Sequence, residues 1–146
     1  MTTIVVLIVL SIGLRLGMPH LGSSVAGGIV TDNQQQTLSA CPATPNCQRD
    51  TLPIEADPES AIESMATLVS EQPGTRIVTR TEQYLHTTWT SRVMGFVDDV
   101  EFLVTRDSQG NAPVLQVRSA SRLGKSDLGA NAKRIESLRR MSRGRL

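Results

Sequence analysis

The chain has 146 residues, 39% of them apolar, enough for one domain with a modest core and too apolar for a wholly disordered chain. Aromatic residues make up only 3% (Tyr84, Trp89, Phe96 and Phe102), too few for the stacking platforms of nucleic-acid modules, so no nucleic-acid partner is expected. The net charge of +1 is uneven: acids outnumber bases from Asp50 to Asp107, whereas Lys133, Arg134, Arg139, Arg140, Arg143 and Arg145 face Glu136 alone near the end, a pattern of a solvated helix face or a lipid-phosphate contact.

Thr3 to Leu14 reads TIVVLIVLSIGL, too apolar for a free tail in water. It is shorter than the roughly 20 residues of a full span and suits the apolar region of a signal peptide. Met1 to Thr3 lacks a positive side chain, and Ser24-Val25-Ala26 before Gly27 offers small residues at a soft cleavage position. Residues 1–20 are therefore read as a signal peptide or membrane anchor, cleaved or retained. Residues 21–40, rich in Gly, Ser and Gln, are read as a flexible tether. Together they place the protein in the cell envelope, membrane-anchored or periplasmic.

Cys41 and Cys47, the only cysteines, bracket CPATPNC, and an even count in an exported chain predicts a disulfide. No metal site and no cofactor are expected, since His20 and His86 are the only imidazoles. A catalytic thiol would need His86 as its base. Leu38-Ser39-Ala40-Cys41 has the form of a lipoprotein signal, but a glutamine-rich stretch parts it from the apolar run, so it reads as coincidence.

Residues 41–146 are read as one small α+β domain. Asp57 and Pro58 open a helix to Glu71, with Ala61, Ile62, Met65, Leu68 and Val69 on one face. Four antiparallel strands follow, over residues 76–81, 84–92, 99–106 and 114–122. A last helix spans about Asp127 to Arg143, capped by Ser126 or Asp127, with Leu128, Ile135 and Leu138 as its apolar stripe. The expected architecture packs one face of a four-stranded sheet under two helices.

Several polar groups invite chemical readings. Ser119 to Ser126 resembles a phosphate-binding loop, but Ser119 stands where the first glycine belongs, so nucleotide binding is not expected. Asp98, Asp99 and Glu101 form an acidic cluster, with Asp99 and Glu101 on one strand face; it serves acid–base work or is a solvated face. His86 shares a strand face with Tyr84 and Thr88. Arg118 and Arg122 share a face of the last strand, and Asp127, Asn131 and Arg134 recur at helical spacing. One account is structural: Asn131 and Asp127 pin the helix to Arg118 or Arg122. The other is an anion site made by the arginines and the helix N-terminus.

CPATPNC, YLHTTWTSRVMGFVDDVEF and VRSASRLGKSDLGANAKRIE, in this order, resemble the bacterial and plastid family known as domain of unknown function 1499, over about Cys41 to Leu138. The resemblance implies an envelope or lumenal protein and carries no assigned reaction. The family pattern falls on Asp98, Asp99, Arg118, Ser119, Ser121, Arg122, Asp127, Asn131 and Arg134. Lys125 stands where the family often has an aromatic, which implies a different ligand if that position lines a pocket. The leading expectation is a non-enzymatic envelope domain binding a small anionic ligand, a lipid headgroup or an envelope protein. Arg118, Arg122 and Arg134 would supply charge, with Asp127 and Asn131 orienting them. One alternative is a hydrolase-like enzyme with Asp98, Asp99 or His86 as base and Ser119 or Ser121 as nucleophile. Another is a purely structural envelope-assembly role.

Overall fold

In the computed structural model, which describes residues 23–32 and 35–146, the helix expected after Asp57 begins as its sequence dictates. The Asp57 carboxylate accepts the amide of Glu59 at 3.1 Å, and Pro58 opens a short 3-10 turn, Pro58–Ser60, that runs into α1, Ala61–Ser70. Ala61, Ile62, Met65, Ala66, Leu68 and Val69 form its buried face. Gly74 ends the connection that follows; its φ is +79°, and a Cβ there would stand 2.5 Å from the carbonyl oxygen of Thr90.

Before α1 lie β1 (Ile29–Asp32), β2 (Gln35–Leu38) and β3 (Cys47–Pro53); after it come β4 (Thr75–Arg80), β5 (Tyr84–Thr90), β6 (Val97–Arg106), β7 (Pro113–Ser121) and α2 (Ala130–Ser142). β3 to β7 form one antiparallel sheet in the order β3-β7-β6-β5-β4, and β1 and β2 form a separate hairpin. The sheet thus has five strands, not the four expected. The missed strand, β3, reads CQRDTLP and buries only Leu52, so its sequence lacks the apolar alternation that marked the others. What makes it a strand is pairing with β7 along its own full length, from Cys47 opposite Ala120 to Pro53 opposite Val114.

Successive residues of a strand face opposite sides, so the sheet has two distinct faces. On the inner face, Leu52, Leu85, Val100, Phe102, Leu115 and Val117 pack against α1 and the α2 residues Ile135 and Leu138. Arg139 of α2 pairs with Asp50 of β3 on the same side. Leu128, expected on the apolar stripe, lies outside the helix: Leu128 and Gly129 both take positive φ, and α2 starts only at Ala130. Phe96 is exposed, so the core uses Phe102 in full and Trp89 in part.

The outer face is covered by the described part of the presumed tether. Gln35–Leu38 pairs with Ile29–Asp32, Leu38 is fully buried, and Leu38 N–H and Thr37 Oγ1 both donate to Gln116 Oε1 on β7. Glycines and glutamines promise a flexible chain by composition, but here the sheet supplies their partners. Nothing described bears on Thr3 to Leu14 or on the anchor assigned to residues 1–20, which lie outside the described residues.

Cys41 and Cys47 form the predicted disulfide, with Cα atoms 5.6 Å apart. It closes a short loop beside the start of β3. Reduction, or the pair C41A and C47A, is expected to lower unfolding stability by about 2 kcal/mol, read by denaturant titration with and without reductant. An unchanged midpoint would show that β3 needs no such closure.

Candidate functional site: two polar layers back to back

The residues picked out in sequence fall into two separate clusters, one on each face of the sheet, because Asp98 and Asp99 are neighbours on β6 and must point apart. Asp98 lies opposite Ser121 and Asp99 opposite Ala120, while Glu101 lies opposite Arg118. Asp98, Ser119 and Ser121 therefore face the helices. Asp99, Glu101, Arg118 and Arg122 face the segment beginning at Ser23.

On the inner face the centre is Asn131, buried in the first turn of α2. Its Nδ2 donates to Asn46 O at 3.0 Å and Ser121 Oγ at 2.9 Å. Its Oδ1 accepts from Ser119 Oγ at 2.5 Å and from the Arg134 guanidinium at 2.6 Å. Arg134 also donates to Ser119 Oγ at 2.8 Å and Asp98 Oδ2 at 2.6 Å, and lies 5.2 Å from the centre of the Trp89 ring. Asp127 accepts the amides of Gly129 at 2.9 Å and Asn131 at 2.7 Å, so it caps the first turn. Burial opposes its ionisation, yet these amide bonds outweigh burial and hold its carboxyl below its ordinary value. Asp127→Ala is expected to cost about 1 kcal/mol of stability, as cap removals do; a neutral result in thermal unfolding would argue that Gly129 alone sets the helix start.

On the outer face two buried carboxylates, Asp99 and Glu101, are the main acceptors. Glu101 accepts from Arg118 at 3.0 Å, Tyr84 Oη at 2.7 Å, and the amides of Gly27 at 3.1 Å and Gly28 at 2.8 Å. Asp99 takes a two-point bond from Arg122, Nε to Oδ2 at 3.0 Å and a terminal nitrogen to Oδ1 at 2.9 Å. It also meets His86 Nε2 at 2.8 Å and the amide of Val25 at 2.8 Å. Arg118 closes the layer by donating to Val25 O at 2.8 Å, while its buried Nε has no partner. Burial and then the bond to Glu101 push the Tyr84 hydroxyl well above its ordinary pKa.

Burial by itself would raise the Asp99 carboxyl, but the bonds from His86, Arg122 and the Val25 amide overcome it and hold the group well below the usual carboxylate range. A carboxyl depressed in the folded state stabilises fully above its unfolded value, about 3.9, and loses that contribution as pH falls toward the folded value. Stability is therefore expected to drop progressively below about pH 4. Asp99→Asn should be less stable at neutral pH and lose less on acidification. Equal acid sensitivity of the two proteins in acid titrations followed by circular dichroism would contradict this.

Three sequence readings are corrected by this geometry. Asn131 and Asp127 do not pin the helix to Arg118 or Arg122; the helix sits over the odd-numbered face of β7, so Ser119 and Ser121 receive it. The hydrolase pairing of His86 or Asp99 with Ser119 or Ser121 is also broken, because the sheet lies between them. Asp98 is on the serines' side but is bonded to Arg134. Nor do Arg118, Arg122 and Arg134 converge: each faces its own carboxylate, Glu101, Asp99 and Asp98 respectively. Sequence reasoning missed Asn46, Trp89 and the backbone of Val25, Gly27 and Gly28. Glu101 and His86 were noticed but not assigned to the site.

Open grooves of about 570 Å³ lie beside the hairpin, lined by Thr37, Arg106 and Gln116, and along β4 and β5, lined by Arg76, Thr88 and Val97; of the predicted residues only Arg122 reaches one. Among the described residues no group of three His, Cys, Asp or Glu is placed to hold a metal ion, and no helix is long and apolar enough to cross a membrane.

Residues 37–141 match the family described as "Protein of unknown function (DUF1499)". No curated protein and no solved structure is found to match the chain. The matched span contains both carboxylates of the outer layer and all three arginines, but begins after Val25, Gly27 and Gly28, the residues whose backbone that layer holds.

Proposed function

We propose, from the premise that the chain belongs to the family of proteins of unknown function DUF1499 and takes no reaction from it, that it is a non-enzymatic, membrane-tethered domain of the cell envelope. In this reading the outer polar layer is a clamp for extended backbone. The carrying observation is that Asp99, Glu101 and Arg118, besides their bonds to other side chains, each bond peptide groups of Val25, Gly27 or Gly28. Buried carboxylates and a buried arginine aimed at main-chain groups recognise a chain's path rather than its side chains. Here that chain is the protein's own lead-in from the apolar run Thr3 to Leu14, so the clamp fixes the domain's place relative to the segment that tethers it.

Of the three partner classes open in the sequence, a small anion is the least suited. Any anion approaching Arg118, Arg122 or Arg134 would also meet Glu101, Asp99 or Asp98. An extended peptide avoids that repulsion, since its amides donate to those carboxylates, whereas a lipid phosphate would meet them as any anion does. The hydrolase alternative finds no base beside either serine: Ser119 is buried and bonded to Asn131 and Arg134, Ser121 Oγ accepts from Asn131 Nδ2, and Asp98 on their side is bonded to Arg134.

The test is an intact mass and fractionation of the protein from its own envelope. The expected result is a chain that keeps the apolar run and stays with membranes after a high-salt wash. A soluble chain beginning at Gly27 would contradict the proposal, because it would lack the tether and both bonds of Val25. Labelling of Ser119 by a fluorophosphonate probe would contradict its non-enzymatic part.

A further inference from the structure

Of the nine large apolar side chains exposed among the described residues, five sit in two loops at one end of the sheet: Val93 (83% exposed), Met94 (50%) and Phe96 (45%) between β5 and β6, and Leu123 (42%) and Leu128 (89%) between β7 and α2. The loops are neighbours, since the amide of Arg122 donates to Val97 O at 3.1 Å. Exposed Arg92 and Lys125 stand among them. The connections at the opposite end are polar: Thr81-Glu82-Gln83 and Asp107 to Asn111. Such a polarised distribution differs from the scattered apolar residues of an ordinary surface.

Leu128 is the least expected of the five. It holds φ at +53°, a conformation that branched or bulky side chains rarely adopt, and it is the only non-glycine with positive φ among the described residues. Asp127 and Gly129 on either side are bonded to each other in the cap of α2, which fixes Leu128 outward.

The direction of the clamped segment supplies the occupant. The amides of Gly27 and Gly28 bond to Glu101 and that of Val25 bonds to Asp99, so the chain runs back along β6 toward Val97 as it approaches Ser23. It therefore enters the described structure at the end that carries the five apolar side chains. Nine residue steps separate Leu14 from Ser23, a reach of at most roughly 30 Å. A bilayer holding the apolar run is thus within reach of these loops.

We infer that this end of the sheet is a membrane-docking edge, in which Val93, Met94, Phe96, Leu123 and Leu128 enter the interfacial region of a bilayer while Arg92 and Lys125 meet its lipid phosphates. This inference rests on the membrane-tethered reading above. Apolar tips flanked by long cationic side chains match the interface, where acyl chains and phosphates lie within a side chain's length of each other.

The full chain is reconstituted in phosphatidylcholine–phosphatidylglycerol vesicles with a polarity-sensitive fluorophore attached to Met94→Cys, Leu128→Cys or, as control, Gln109→Cys. All three positions are exposed, so the fold tolerates the label. The expected result is a blue shift and quenching by nitroxide lipid at positions 94 and 128, with the label at 109 remaining in water. Further replacement of Leu123 and Phe96 by Asp should abolish the shift at both loop positions. A chain held by the vesicles with all three labels in water overturns the docking edge and leaves the tether standing. A chain that does not associate with vesicles overturns the tether and the docking edge together. Labels at 94 and 128 that are dry before lipid is added assign this end to a second copy of the chain and overturn the inference.

Discussion

Glu101→Ala is expected to lower the free energy of unfolding by about 3–5 kcal/mol, the range for breaking a buried ion pair from one side. The substitution strands the buried Arg118 guanidinium, whose Nε already lacks a partner, and removes the acceptor for Tyr84 and for the amides of Gly27 and Gly28. The loss comes mainly from the charge left behind, so it should be partly reversible. Glu101→Leu combined with Arg118→Met removes both charges and keeps much of the volume, and should recover at least half of the loss in urea titrations. Strictly additive losses in that double variant would mean that the two residues contribute independently and that the ion pair is not the centre of the layer.

The second large effect is expected on the other face. Asn131→Ala should cost about 3 kcal/mol, because it removes one of the two donors to Asn46 O, leaves Ser121 Oγ without its donor and takes an acceptor from Ser119 and Arg134. Ser121→Ala removes only one of those bonds and should cost about 1 kcal/mol. The contrast separates a network from a single contact. If Asn131→Ala unfolds within about 0.5 kcal/mol of the native protein, the range of ordinary surface substitutions, the inner layer does not hold α2 to the sheet.

These expectations turn on which face each residue occupies, and the sequence reveals only part of that. Alternation along DDVEFLV placed Asp99 and Glu101 together and Val100 and Phe102 opposite them, which the strand bears out. The same rule put Arg118 and Arg122 on one side of β7. It also put Leu115 and Val117 on the other side, and that apolar side is the one α2 covers. The helix in fact begins after two residues of positive φ, so its buried face starts at Asn131 and continues through Ile135 and Leu138. Asn131 on that face meets Ser119 and Ser121, which share the core side of β7 with Leu115 and Val117, instead of the arginines.

β3 and the hairpin were illegible for a different reason. Gln48, Arg49, Asp50 and Thr51 carry no apolar signal, and neither do Gln35 and Gln36; their order comes from partners on β7 and β6 that are distant in sequence. The clamp belongs to the same class. Its ligand is the main chain of Val25, Gly27 and Gly28, and a backbone amide leaves no trace in residue type. What could have pointed there is two buried carboxylates on one face facing only two arginines, His86 and Tyr84, with acceptor capacity to spare for further donors.

Amide hydrogen exchange of the full chain, resolved at Val25, Gly27 and Gly28, tests the clamp most directly. These three amides are expected to exchange as slowly as those of β6 and β7, and Asp99→Asn or Glu101→Gln to speed them up while the strands stay protected. Exchange at the rate of a free peptide in the native protein, with β6 and β7 protected, would mean that the carboxylates hold nothing there and would contradict the account.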